Sequence, residues 1–170
     1  MKTEGPRRAR QVAVAGDEPL IRSDSYDYAD AFEIRVPEAD DRSIEQFVRT
    51  AVEEAPLPLL LTVRLVHKYL LRLRLGPRSS PDFVFGFKIL TSEHDLIHLE
   101  ALSPVLGRGV VVGRRVDATR AVLTTYLFFA RPTAARVVWK IAGPLHRKVA
   151  PYLMERAAAR AGRVVMERTR

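Results

Sequence analysis

Between Phe83 and Ala130 the chain reverses direction repeatedly, and each reversal is too short for a crossover. Phe83, Phe85, Phe87 and Ile89 alternate along a first strand, with their side chains on one face. Glu93-His94-Asp95 reads as a tight turn, Leu96 to Leu102 as the returning strand, Val110 to Asp117 as a third and Arg120 to Ala130 as a fourth. A parallel pair needs a connection of about a dozen residues or more. Short connections therefore predict antiparallel hairpins, and such a sheet needs something long and apolar to cover one face.

The end of the chain supplies that cover. Val137, Ile141, Leu145, Val149, Leu153 and Ala157 form an i, i+4 row over residues 133–163, with Arg136, Lys140, Arg147 and Lys148 mainly off it. Gly143-Pro144 and Pro151 interrupt this helix, and each proline removes a backbone hydrogen bond and bends the axis, as a concave sheet requires. Upstream, Phe32, Ile34 and Val36 alternate along a strand that Pro37 stops. Ser43-Ile44-Glu45-Gln46 has the form of a capping box, and Ile44, Phe47, Val48 and Val52 carry the helix it opens toward Pro56. Pro58 suits the first turn of a second helix, Leu59 to Leu75, which Gly76-Pro77 ends. The fold class this order predicts is α+β: a curved antiparallel sheet wrapped around a long, kinked C-terminal helix.

With 170 residues the chain is of single-domain size. It lacks cysteine, which removes disulfides, thiolate metal sites and cysteine nucleophiles, and fits a reducing compartment. The first residues carry no apolar run of signal-peptide length, and no run reaches the roughly 20 residues of a membrane span, so the expectation is a soluble, cytoplasmic protein. Charge is uneven: the net charge is +3 over residues 1–10, −3 over 11–130 and +8 over 131–170. Residues 1–24, rich in charge, Gly and Pro, read as a flexible arm, 25–163 as the domain and 164–170 as a basic tail.

Three segments carry a family resemblance: Tyr28-Ala29-Asp30-Ala31-Phe32 at the first strand, Asp95-Leu96-Ile97-His98-Leu99-Glu100 in the strand block, and Pro144-Leu145-His146-Arg147 in the last helix. In this order, over about residues 26–160, they resemble the START-like, helix-grip (SRPBCC) superfamily, and more closely an actinobacterial domain family of unknown function within it. The arginine-rich, lysine-poor composition, 23 to 5, suits a GC-rich bacterial genome. The resemblance implies a cavity between sheet and last helix that holds a lipid- or polyketide-like apolar molecule. It also implies that some relatives are cyclases or hydroxylase components. It carries over no catalytic set. The chain offers fewer strands than larger members, which implies a small or filled cavity.

The candidate residues follow from position. His98 and Glu100 share one face of a strand and could orient a ligand or pass a proton if that face is concave. Ile97, Leu99 and Ala101 form a wholly apolar alternate face, which as the core face would turn the pair outward. His146, between the two prolines, either reaches the cavity mouth or bonds a carbonyl that the bend frees. Thr124 and Tyr126 could place hydroxyls in an apolar cavity or simply be good strand formers. Catalytic candidates are thus His146, His98, Glu100 and Tyr126. Ligand-lining candidates are Phe85, Phe87, Thr124, Tyr126, Trp139 and Leu145, with a packed aromatic core as the plainer reading of the phenylalanines. His94 and His98 lie about 13 Å apart along an extended strand, too far to share an ion, so neither metal nor cofactor is expected.

Three functions stay open: an apolar-ligand binding module, a cyclase- or dehydratase-type enzyme on the same scaffold, and an interaction protein using its basic surface. Arg64, His67, Lys68, Arg72 and Arg74, with the basic face of the last helix, could contact phosphates, those of an anionic membrane before those of a nucleic acid, or be a solvated face whose long side chains cover apolar surface. No nucleic-acid-binding motif accompanies them. No phosphate loop, dinucleotide fingerprint or nucleophile elbow is present either, which argues against an NTPase, a Rossmann dehydrogenase and an α/β-hydrolase. The oligomeric state has no signature.

Overall fold

The computed structural model describes residues 8–16, 18, 21, 25–37 and 40–168, the last eight by backbone alone. Its strands are β1 (Arg10–Val12), β2 (Tyr28–Arg35), β3 (Phe83–Val84), β4 (Phe87–Ser92), β5 (Leu96–Ser103), β6 (Gly107–Asp117) and β7 (Arg120–Phe129), and its helices α1 (Ile44–Glu53), α2 (Leu57–Leu65) and α3 (Pro132–Arg168). The strands form one antiparallel, curved and unclosed sheet in the order β1-β2-β7-β6-β5-β4-β3, with α3 packed against it. Strand β2 thus pairs with the last strand, Tyr28 opposite Leu127 through Arg35 opposite Arg120. The fold is α+β and compatible with a helix-grip architecture.

Local chemistry explains the boundaries. The Ser43 hydroxyl accepts from Gln46 N–H at 3.2 Å while the Gln46 side chain accepts from Ser43 N–H at 3.0 Å, so the capping box starts α1 as its spacing predicts. Phe83 to Ile89 is not the continuous strand that its aromatic period suggests. Phe85 (φ 52°) and Gly86 (φ 86°) both adopt left-handed backbone, and Val84 pairs with Phe87 across a two-residue hairpin. The second helix also ends early. After Leu65 it widens into a π-helical turn, Val66–Leu70, in which Leu71 N–H reaches Val66 O at 2.8 Å. Arg72 then turns the chain with φ 50°, and Arg74 pairs with Leu102 instead of continuing the helix.

The arm expectation is corrected at residues 10–12, 18 and 21. Arg10–Val12 form an edge strand on β2, Arg10 opposite Glu33. Glu18 and Ile21 are buried, and Ile21 packs with Val110, Val112 and Tyr126 on the convex face. Residues 1–7, 17, 19–20 and 22–24 of the expected arm lie outside the described residues. At the other end α3 runs through 164–168, part of the expected tail, while 169 and 170 lie outside the described residues.

Helix α3 passes through Pro144 and Pro151 without a break. Its buried side is Ala135, Trp139, Ala142, Ala150, Met154 and Ala157, which corrects the i, i+4 row in its first half: Val137 and Ile141 face outward. The concave core has two parts. One joins α1, the sheet and the second half of α3, through Phe47, Ile97, Leu99 and Met154. The other joins Leu71, Leu127, Trp139 and Ala142 near the start of α3.

Candidate functional site

Where those two clusters fail to meet, the concave face holds an apolar cavity of about 160 Å³. Phe47 and Ala51 of α1, Val63 of α2, Leu123 of β7, and Leu145 and Met154 of α3 are among its walls. Apart from the indole of Trp139, the polar side chains on its lining are two histidines, His67 from the π turn and His146 from α3.

His146 is set by a partner on the facing strand. Tyr28, Asp30, Phe32 and Ile34 share the concave face of β2, so a carboxylate sits in an otherwise apolar row. Asp30 is 3% exposed. Its Oδ2 accepts from the Tyr28 hydroxyl at 2.6 Å and its Oδ1 lies 3.1 Å from Nε2 of His146. Burial pushes the Asp30 carboxyl up, but His146, Tyr28 and the Arg147 guanidinium together outweigh it and hold it below the ordinary aspartate value. The ionised carboxylate makes His146 Nε2 the donor. Trp139 lies two helical turns before His146, with ring centroids 5.3 Å apart, and meets Tyr28 edge-on at 5.0 Å. Burial, and then the bond to Asp30, raise the Tyr28 phenol. His146 therefore bonds a strand carboxylate and not the helix carbonyl freed by a proline, which corrects the second reading of that residue.

His67 closes the opposite wall. Its ring lies edge-on to Phe85 at 5.7 Å and to Phe87 at 5.6 Å, and its Nδ1 is buried without a hydrogen-bond partner among the described residues. Burial, followed by repulsion from His146, lowers its pKa to about 4, so the imidazole is neutral at neutral pH. The sign of the consequence is definite. The unfolded chain binds a proton here below about 6.5 while the folded one resists until about 4. Stability therefore rises with pH across that window and is complete above it. We expect His67→Phe to flatten the dependence, which in the parent amounts to roughly 3 kcal/mol between these limits; urea unfolding at pH steps from 4 to 7 measures it.

The remaining candidates lie elsewhere. His98, Glu100, Thr124 and Tyr126 project from the convex face, opposite the cavity; for His98 and Glu100 this is the outward reading that the apolar alternate face favours, and for Thr124 and Tyr126 it corrects their place among the cavity-lining candidates. Their neighbours Ile97, Leu99 and Ala101 are the core-facing set. His98 is buried under the N-terminal segment, its Nε2 2.7 Å from Glu18 Oε1, while Arg114 holds Glu18 Oε2 at 2.9 Å. Tyr126 is buried beneath the same segment, its hydroxyl 3.4 Å from Ala15 O, and stacks edge-on with Tyr26. Glu100 pairs with Arg108 at 3.8 Å. Of the expected lining residues, Phe85, Trp139 and Leu145 reach the cavity, and Phe87 packs behind His67. His94 sits exposed in the turn before β5. Among the described residues no three His, Asp or Glu side chains gather as a metal site would need, and no helix is long and apolar enough to cross a membrane.

Sequence reasoning passed over Asp30 and Tyr28 as site residues and put His67 with the basic outer set, which the structure corrects: its imidazole turns inward to the cavity. Asp30 has a readable signal, a carboxylate in register with Phe32 and Ile34. Tyr28, Asp30, His146 and Arg147 come from two of the three segments that carry the family resemblance, and the fold brings them together. Comparison of the chain with protein-family models, with curated proteins and with solved structures finds no match.

Proposed function

We propose that the chain is a START-like binding module that holds a small apolar ligand between the sheet and α3. The observation that carries this reading is the apolar cavity of about 160 Å³ with His146, bonded to Asp30, at its wall. Well-packed interiors leave few voids larger than a water molecule. A dry engineered cavity of about 150 Å³ takes up benzene, so this size supports one or two rings or a short acyl chain. It narrows the lipid- or polyketide-like class to its smallest members. A polar group on such a ligand would sit at His146 and the hydrocarbon among Phe47, Val63 and Met154. Ala142→Phe, on the buried face of α3, tests this by filling the space. Recovery of a co-purifying apolar molecule by native mass spectrometry and organic extraction from the parent but not from a cooperatively folded Ala142→Phe supports the reading. Equal recovery from both places the molecule outside the cavity.

A second reading, a cyclase- or dehydratase-type enzyme, has one observation in its favour. An imidazole oriented by a buried, ionised carboxylate is the arrangement that general acid–base catalysis uses. In this reading His146 touches the ligand and Asp30 positions it. A ligand that changes mass on incubation with the parent and not with His146→Gln supports catalysis; an unchanged ligand in both leaves a binding module.

A further inference from the structure

Helix α2 is apolar nearly all round, a pattern that belongs to buried helices, yet none of its residues is buried. Val63 and, in the π turn, Val66 and His67 turn inward to the cavity. Leu57, Leu61, Leu65 and Tyr69, spaced four apart, form the outward row and are 50–66% exposed. On α3, Val137 and Ile141 are 59% and 63% exposed, each next in sequence to a residue, Val138 or Ala142, that shares a core cluster with Val66 and Leu70 of the π turn.

The segments that carry this surface hold charges of one sign, with Glu54, Asp82 and Glu155 just beyond their ends. Residues 55–81 contain five Arg or Lys and no carboxylate, and residues 131–154 again contain five and none. A groove of about 200 Å³ beside the row is lined by Arg64, Lys68 and Arg78 together with Leu73, Leu75 and Phe85. The Lys68 ammonium lies over the Tyr69 ring at 5.3 Å, which sets its charge beside the last residue of the row. Among the described residues none of Arg64, Lys68 and Arg78 is in an ion pair.

We propose that this face docks on an anionic lipid bilayer. Leu57, Leu61, Leu65 and Tyr69 enter the interfacial layer, and the Arg64–Lys68–Arg78 groove takes headgroup phosphates. A nucleic acid would satisfy the cations and leave the leucine row in water. A bilayer satisfies both. The inference does not depend on what the cavity holds, although the docked helix is also a wall of that cavity.

The test is sedimentation of the full chain with vesicles of phosphatidylcholine alone and of phosphatidylcholine mixed with phosphatidylglycerol. Binding is expected to the mixed vesicles, to fall at least tenfold in Leu61→Gln/Leu65→Gln, and to fall comparably in Arg64→Gln/Lys68→Gln with a loss of salt dependence. These side chains are exposed, so unchanged thermal unfolding of both variants is part of the expected result. Three outcomes overturn the proposal. One is binding that the leucine variant leaves intact, a charge patch only. Another is duplex DNA binding with the same dependence on Arg64 and Lys68 and no vesicle binding. The third is a parent dimer that the leucine variant dissociates without any vesicle binding, which assigns the row to a second copy.

Discussion

Asp30→Ala is expected to lower stability at neutral pH by roughly 3 kcal/mol, the cost of removing a buried carboxylate that accepts hydrogen bonds from two partners. The substitution strands two groups. The Tyr28 hydroxyl loses its acceptor and His146 loses the carboxylate that ties α3 to β2. The acid dependence should change with it. Because the folded Asp30 carboxyl titrates below its ordinary value, its contribution is present above that value and is lost as pH falls through the folded one. The variant should lack this part of the acid transition. Asp30→Asn keeps the shape and removes the charge, so it should fall between the parent and Asp30→Ala. Urea midpoints at neutral pH and near pH 3 give both comparisons, and a near-zero change for Asp30→Ala would mean that the cluster does not hold α3 to the sheet.

Gly107→Ala should be the most damaging conservative change in the sheet, at roughly 4 kcal/mol. Gly107 opens β6 with φ 101°, a conformation that costs an L side chain strain wherever it occurs. A Cβ there would lie 2.0 Å from Phe128 O and 2.5 Å from Ala130 N. Both are backbone atoms, so no rotamer change relieves the clash and the ends of β6 and β7 must part. That is where the chain leaves β7 for α3, so the helix that closes the cavity loses its fixed start. Gly109→Ala, two residues on, meets nothing closer than 3.6 Å and serves as the control. Thermal unfolding of the pair should separate them by several degrees at least; similar melting temperatures would show that the strand ends yield without cost.

What the sequence disclosed and what it hid divide along physical lines. Hairpins with short connections, the Ser43–Gln46 box and the long final helix are local features, and each was readable. Phe85 escapes the pattern because its side chain obeys the strand period while its backbone, beside Gly86, turns. The end of α2 was hidden because Leu71 to Leu75 continues the apolar run, and only the contact of Arg74 with Leu102 shows that the chain has become extended. The convex face was hidden for a different reason. The sequence offers His98 as one of an outward pair and Thr124 and Tyr126 as cavity-lining candidates, and only Glu18 and Ile21, remote in sequence and lying over that face, show it to be buried. In the candidate site His146 was legible as a residue and its partner was not, since a lone Asp in a strand usually faces water. Pairing β2 with the last strand and placing α3 across both is a property of topology, which no local pattern carries.

The central claim is that the space among Phe47, Val63, Leu145 and Met154 is a ligand site and not a packing defect. Titration of the isotopically labelled protein with indole, followed by two-dimensional NMR, tests it most directly. The account predicts saturable shifts confined to the cavity walls and to His67 and His146, absent in folded Ala142→Phe. Shifts that never saturate, or that persist unchanged in Ala142→Phe, would contradict it.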